Sequence, residues 1–437
     1  MKKLLNDPQD AVTESLEGFG QAHADLVQVH LAPPYVSRAG GAVAGKVGLV
    51  SGGGSGHEPL HAGFVGPGML DAAVPGAVFT SPTPDQIVPA ILGADSGAGV
   101  LAIVKNYTGD VLNFETAVEL VEAEGTQVTS ILVNDDVAVE DSLYTAGRRG
   151  VAGTVAVEKI AGAAAERGDD LGTVTEIAGR VVANVRSMGV ALTACTVPHV
   201  GRPSFDLGDD EVEIGIGIHG EPGRHRIPLA SADEITQRLV DPVADDLGLA
   251  DGEDVLLFVN GMGGTPLSEL YVVYRQARRL LEGRGVRVTR SLVGNYVTSL
   301  EMQGASVTVL RLDDELTALW DAPVHPAAVR RWAGALSCSL REPAHRRLDG
   351  EERWGMTLDV AWAERWTRLS AERIAAARDE LTELDRQIGD GDHGENLDRG
   401  FRAVVAKLDG AADGAQPPGA IGDVLQRVAG PLRSSGG

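Results

Sequence analysis

Along most of the chain, short apolar runs alternate with stretches whose apolar residues recur every three or four positions. Val47 to Val50, Val100 to Val104 and Val128 to Val133 have the length and content of buried strands. Between the last two, Phe114, Ala117, Val118 and Val121 share one helical face, which predicts a helix over Phe114 to Glu124. Val155 to Arg167 and Val174 to Met188 are predicted as the next helices. After a break comes a second set of strands: Ile214 to Ile218, Val255 to Val259, Val286 to Thr289 and Val307 to Leu312. A helix over Leu267 to Leu281 sits among them. Strand alternating with helix predicts α/β sheets covered on both faces, arranged here as two lobes.

The pattern changes after Trp320 to Pro326, which closes this region with two prolines. Residues 334–353 show no period and are rich in Ser, Arg, Glu and Pro, as a linker is. Beyond them Val360 to Leu384, Phe401 to Leu408 and Ile421 to Leu432 are helical in pattern, and no strand-like run occurs. The expected fold class is α/β: a two-lobed α/β unit followed by an all-α helical part. The expected limits are 1–190 for the first lobe, 191–335 for the second, 336–357 for the linker and 358–437 for the helical part.

Composition sharpens this picture. Of 437 residues, 56 are glycine, roughly twice the usual share of about 7%. No collagen-type period is present, so the glycine belongs in loops and close-packed backbone. That suggests an α/β enzyme with many tight strand-to-helix turns. Hydrophobic residues make up 43%, enough for sizeable cores, which argues against global disorder. Against 62 Asp and Glu stand 38 Lys and Arg, a net charge of −24. This excludes nucleic acid or an anionic membrane surface as the main partner. Cys195 and Cys338 are too few for a disulfide framework. The basic start at Lys2 and Lys3 has no apolar segment behind it, and no apolar run of about 18 residues follows. The expected location is cytoplasmic.

Four segments carry candidate chemistry. The first is Ser51 to Pro59, where Gly52, Gly53, Gly54, Ser55 and Gly56 follow a strand and His57 ends the loop. Such a loop lets backbone N–H groups approach a ligand, or it is a tight turn before a helix. It lacks the Lys-Ser/Thr of a phosphate-binding loop. The second is Lys105 to Asp110, again at a strand's carboxyl end, where Asp110 can accept a hydrogen bond from a substrate hydroxyl or act as its base. Ser81, before Asp85, offers another hydroxyl or begins a helix. The third is Gly215 to Gly223, where His219 sits in a glycine-rich turn. A neutral imidazole there can hydrogen-bond a ligand or attack a carbonyl. The fourth is Leu384 to Asn396, where Asp385, Asp390 and Asp392 stand among glycines. Three close carboxylates repel unless a divalent cation joins them, and Mg²⁺ with phosphate oxygens fits; a solvated acidic turn is the alternative. His61, His199 and His225 have no special context and read as surface or structural.

Together these segments resemble the dihydroxyacetone kinases. The likeness to the substrate-binding subunit runs from Met1 to about Gly334, through Lys2 to Asp7, the glycine loop, Lys105 to Glu115, Asp141 to Gly150 and Gly263 to Tyr271. From about Val360 the chain resembles the family's nucleotide-binding helical domain, through Leu384, Asp385 and Ile388 to Gly394. A fused chain in this order is similar to the ATP-dependent single-chain kinases rather than the phosphotransferase-system form. The resemblance implies that His219 attaches to the substrate carbonyl as a hemiaminal. It gives His57 and Asp110 the binding and deprotonation of the reacting hydroxyl, and places Gly54, Ser55, Gly56, Ser81 and Lys105 around the substrate. Asp385, Asp390 and Asp392 would hold two Mg²⁺ bridged to ATP. His393, Asn396 and Ser435 would lie beside the nucleotide.

The helical part departs from the family. There the domain is a closed bundle roughly twice as long, and Ser435-Gly436-Gly437 corresponds to the start of a second glycine-rich loop. The expectation is a truncated bundle, as a fragment, a truncated product or one part of a split enzyme. The expected function is an ATP-dependent kinase for dihydroxyacetone or a related triose or tetrose, with the missing portion supplied in trans or encoded by a longer gene. The alternative is a ketose-binding protein without phosphoryl transfer. The family implies a homodimer through the substrate-binding domain.

Overall fold

The computed structural model describes residues 2–138, 147–220, 223–329, 360–388 and 393–409. They fall into two compact units, Met1–Glu342 and Pro343–Gly437. The first unit holds two six-stranded sheets. Strands β1 (Val27–Leu31), β2 (Pro34–Arg38), β3 (Gly48–Ser55), β4 (Ala72–Val78), β5 (Val100–Lys105) and β6 (Val128–Val133) form one, in the order β1-β2-β4-β3-β5-β6. The pairs among β4, β3, β5 and β6 are parallel. Strands β7 (Val185–Ala191), β8 (Glu211–Ile214), β9 (His225–Pro228), β10 (Asp254–Gly261), β11 (Arg287–Gly294) and β12 (Gly304–Leu312) form the other, in the order β11-β10-β12-β7-β8-β9. There only β10 and β11 pair in parallel.

The helices of this unit are α1 (Ala11–Ala22), α2 (Pro84–Ala94), α3 (Thr108–Ala123), α4 (Gly153–Arg167), α5 (Leu171–Asn184), α6 (Ala232–Leu247), α7 (Leu267–Gly283) and α8 (Asp314–Asp321). The alternation of side chains along each strand sorts them into layers. On β5, Val100, Ala102 and Val104 pack with Ile87, Ile91, Phe114 and Val121 of α2 and α3. Leu101 and Ile103 pack on the opposite face with Val157 and Ile160 of α4. That same core takes in Leu256 and Phe258 of β10 and Leu310 of β12. Val255, Leu257 and Val259 face α6 and α7 instead. Helix α4 therefore lies in a layer shared by both sheets. Residues Gly153 to Ala165 are all buried, which explains why the helix is built from small side chains.

Two expectations are corrected. The helix expected to reach Met188 ends at Asn184, because Val185 to Ala191 pair with β12 as β7. The strand expected over Ile214 to Ile218 stops at Ile214. Gly215 takes φ +82° and donates its N–H to the Gly189 carbonyl, which turns the chain out of the sheet. Strands β1, β2, β4, β8 and β9 have too little apolar periodicity to be foreseen. In the second unit α9 (Val360–Ile388) and α10 (His393–Leu408) meet through Val360, Ala363, Val404 and Leu408.

The close approach of α4 to the chain at Gly68 and Met69 makes a prediction. A Cβ at Gly162 would lie 2.5 Å from the Met69 Cα and 2.6 Å from the Gly68 carbonyl oxygen. Gly→Ala inside a helix ordinarily stabilises by about 1 kcal/mol. Here backbone must shift, so Gly162→Ala is expected to destabilise by roughly 1–3 kcal/mol. A lower urea midpoint checks this; a higher one refutes the close packing.

Candidate active site

The site forms where β3 and β5 end. All eight residues of β3 are buried, Gly52 to Gly54 among them. The glycines are there for space. A Cβ at Gly53 would stand 2.1 Å from the Lys105 Nζ, and one at Gly54 would meet the Phe79 and Thr80 backbone at 2.6 Å. Ser55 spends its hydroxyl proton on the Gly76 carbonyl at 2.7 Å, tying β3 to the end of β4. Gly56, at φ +101°, is enclosed by Phe79 and Leu300. Those two are the only non-glycine residues with left-handed backbone among the described residues, at φ 58° and 54°. Their N–H groups bond the Ser55 and Gly56 carbonyls at 2.9 and 2.8 Å. This conformation disfavours an L side chain by about 1–2 kcal/mol, so both segments are bent to fit the glycine loop.

His57 is fully buried. Its Nδ1 donates to the Thr298 carbonyl at 2.8 Å, so that in the neutral ring Nε2 is the acceptor nitrogen. The ring stacks on Phe79, with centroids 5.0 Å apart and planes 17° apart. The half-buried His219 stands edge-on to it, 4.7 Å between centroids. Tyr107 and Phe79 complete the surround of His219 at 4.5 and 5.4 Å. Two histidines far apart in the chain are thus brought face to edge between two aromatic rings.

Below them sits a buried polar network. Strand parity points Lys105, like Leu101 and Ile103, toward α4. Its ammonium is buried and donates to the Gly52 carbonyl at 2.9 Å and to the His61 Nε2 at 2.8 Å. The Asp110 Oδ2 lies 3.4 Å away. Asp110 stands in the first turn of α3, where the helix N-terminus favours a carboxylate. Its Oδ1 is buried and has no hydrogen-bond partner among the described residues. His61 passes the network on to Glu158 of α4, Nδ1 to Oε1 at 2.6 Å. Burial, then the Lys105 charge and His57, hold His61 well below its ordinary pKa. Burial pushes Glu158 up to about 8, against the pull of Lys105. Ser81 lies half-buried beside the α3 turn, its Oγ 2.7 Å from where a Gly109 Cβ would be.

The structure thus gathers His57, His219, Lys105, Asp110 and the glycine loop, with Ser81 at the α3 turn. Of the two readings left open for His61, surface or structural, the structure selects the second: it is buried in the network. Phe79, Thr298, Leu300 and Glu158 join the site without any local signal; only the excess of small residues around Glu158 hints at a helix buried on every side. A cavity of about 540 Å³ adjoins the glycine loop, lined also by His61 and by Val12, Leu16 and Phe19 of α1. His57 and His219 do not line it. Asp390, Asp392 and Ser435 fall outside the described residues, as do the side chains of Asp385, His393 and Asn396. Among the described residues no group of three or more His, Cys, Asp or Glu side chains is placed to hold a metal, and no helix is long and apolar enough to cross a membrane.

A family profile described as the Dak1 domain matches residues 17–328. The chain belongs to the dihydroxyacetone kinase family. It is 50% identical over 353 residues to the dihydroxyacetone-binding subunit of the PEP-dependent dihydroxyacetone kinase of Escherichia coli, covering 75% of this chain and 99% of that protein. It is 38% identical over 440 residues to an L-erythrulose kinase of Pectobacterium atrosepticum, covering 98% and 73%. The dihydroxyacetone kinase from C. freundii in complex with AMP-PNP and Mg²⁺ has a similar structure, with TM-score 0.67 and 29% identity over 100% of this chain and 80% of that one. Membership of this family and the α/β fold agree with the resemblance read from the sequence.

The Lys105 network makes a second prediction. Removing one partner of a buried ion pair leaves a charge without compensation and costs about 3–5 kcal/mol. Lys105→Met is expected to destabilise by roughly 3 kcal/mol. Adding Asp110→Asn should return part of that loss. Denaturant unfolding of the two single variants and the double checks it, and strict additivity would show the two groups uncoupled.

Proposed function

We propose that this chain is the substrate-activating part of an ATP-dependent kinase for dihydroxyacetone or a related short ketose or aldose. The observation that carries this reading is the meeting of His219 with His57 inside the Phe79–Tyr107 ring pocket, beside Lys105 and Asp110. In this reading the unprotonated ring nitrogen of His219 adds to the substrate carbonyl carbon, the C=O π bond opens, and the oxygen gains a proton as the ring gives up its N–H proton, leaving a neutral hemiaminal. Glycerol has no carbonyl and cannot be held in this way. Hydrogen bonds to hydroxyls alone would not discriminate so well, because both molecules offer them. The glycine loop presents backbone groups to the substrate, with Gly54, Ser55 and Gly56 forming its wall. The Ser55 hydroxyl is committed to Gly76, so its contribution is through the backbone. His57 Nε2 or Asp110 Oδ1 takes the proton of the terminal hydroxyl as its oxygen attacks the γ-phosphorus of ATP, whose bond to the bridging oxygen breaks to release ADP. Lys105 steadies the Asp110 carboxylate.

The nucleotide site is proposed on the helical part. Asp385, Asp390 and Asp392 would hold Mg²⁺, with His393, Asn396 and Ser435 beside the nucleotide. Bound Mg²⁺ supplies neutralisation of phosphate charge, on which phosphoryl transfer mainly depends. A relative named for erythrulose and one named for dihydroxyacetone support a four- or three-carbon substrate. The proposed domain limits are 1–190 and 191–335 for the two lobes, 336–357 for the link and 358–437 for the helical domain. A homodimer through the α/β unit and a cytoplasmic location complete the proposal. A second reading is a ketose-binding subunit that needs a partner for transfer, favoured by the relative named as a dihydroxyacetone-binding subunit.

Intact-mass spectrometry with dihydroxyacetone is expected to show one adduct on the wild-type chain and none on His219→Ala. The variant should also discriminate less against glycerol in a coupled ADP-release assay. An adduct that persists in the variant overturns the role of His219. Adduct formation without ADP release selects the binding-subunit reading.

A further inference from the structure

Four polar side chains lie end to end in the interior of the α/β unit. From α4 inward they are Glu158, His61, Lys105 and Asp110, and each is at least nine-tenths buried. The direction of their hydrogen bonds follows from one fact. An ammonium has donors only. His61 Nε2, 2.8 Å from the Lys105 Nζ, must therefore accept. Its proton is then on Nδ1, which donates to the Glu158 Oε1 at 2.6 Å. Lys105 uses its other donors on the Gly52 carbonyl and toward Asp110. His61 and Glu158 both act on the ammonium that stands beside Asp110.

Resting on the kinase reading above, we propose that His61 and Glu158 are positioning residues for the reaction: they aim the Lys105 ammonium, and the ionisation of Glu158 sets how much of that charge is left to hold the Asp110 carboxylate. With Glu158 neutral, Asp110 is the sole carboxylate answering Lys105. With Glu158 ionised, two carboxylates share one ammonium across the His61 ring, and the hold of Lys105 on Asp110 weakens. The groups facing this array are few. Glu158 of α4 faces His61, Lys105 of β5 and Ser51 of β3; His61 faces Lys105, Glu158 and His57; Asp110 of α3 faces Lys105. His61 stays neutral throughout, since burial, the Lys105 charge and His57 all oppose its protonation. Glu158, pushed up to about 8, is the member that changes charge near neutral pH.

The test is the pH profile of kcat, each protein normalised to its own value at about pH 7, over about pH 6.5 to 9.5. The wild-type rate is expected to fall as pH passes through about 8. Glu158→Gln, which holds the neutral form, should lack that fall. His61→Asn should lower kcat about tenfold or more while KM for the ketose moves less. Circular dichroism and thermal melting establish that the variants fold. In parallel, ¹⁵N shifts of the His61 ring, assigned by their loss in His61→Asn, should show a neutral Nδ1–H tautomer at every pH. Identical normalised profiles for wild type and Glu158→Gln, or a His61 ring that titrates at its ordinary value, overturn the proposal. If the wild-type chain turns over no ATP with any ketose, the kinase reading fails by itself. The ¹⁵N shifts then decide whether His61 and Glu158 hold Lys105 as described.

Discussion

The site depends on one buried cation. An ammonium withdrawn from water needs an acceptor for each of its protons and an opposite charge nearby. Lys105 receives these from three directions: the Gly52 carbonyl of β3, His61 on the loop after β3, and Asp110 on the first turn of α3. Satisfying it therefore fixes the spacing of the ends of β3 and β5, the course of the loop and the start of a helix. Gly53 is glycine because the Lys105 Nζ occupies the space of a side chain there. Glu158 is tolerated in the interior of α4 because His61 connects it to the same charge.

The histidine pair rests on that foundation from above. The loop that carries His57 is held by the Thr298 carbonyl, and the segment that carries Thr298 belongs to the second sheet's side of the unit. His219 arrives from the turn after β8. The reacting groups therefore come from both sheets, joined through the shared layer of α4. Two left-handed residues, Phe79 and Leu300, close the fit around Gly56. Backbone strain is concentrated at the place where a ligand would be cradled, as functional sites often show.

Much of the architecture was legible along the chain. The runs at Val100 to Val104 and Val255 to Val259 could only be buried strands, and their flanking patterns could only be helices packed on sheets. The glycine loop, Lys105, Asp110 and His219 announced themselves because polar residues at strand ends beside glycine rarely serve a core. Short strands such as β2 and β8 were illegible, because strands of mixed polarity owe their conformation to their neighbours. The helix expected to run to Met188 failed for the same reason: pairing with β12 outweighs the local pattern.

Sequence by itself determined the family, the α/β class and the residue types available for chemistry, because those follow from periodicity and from motifs read locally. Tertiary structure decided which of them meet. Nothing local distinguishes His61 from His199, or marks Glu158 as more than one polar residue in an alanine-rich helix. Their role exists only because β5 parity turns Lys105 toward α4 and the chain after β3 folds back between them. Burial then does what sequence cannot express: it holds His61 neutral and keeps the proton on Glu158 to about 8.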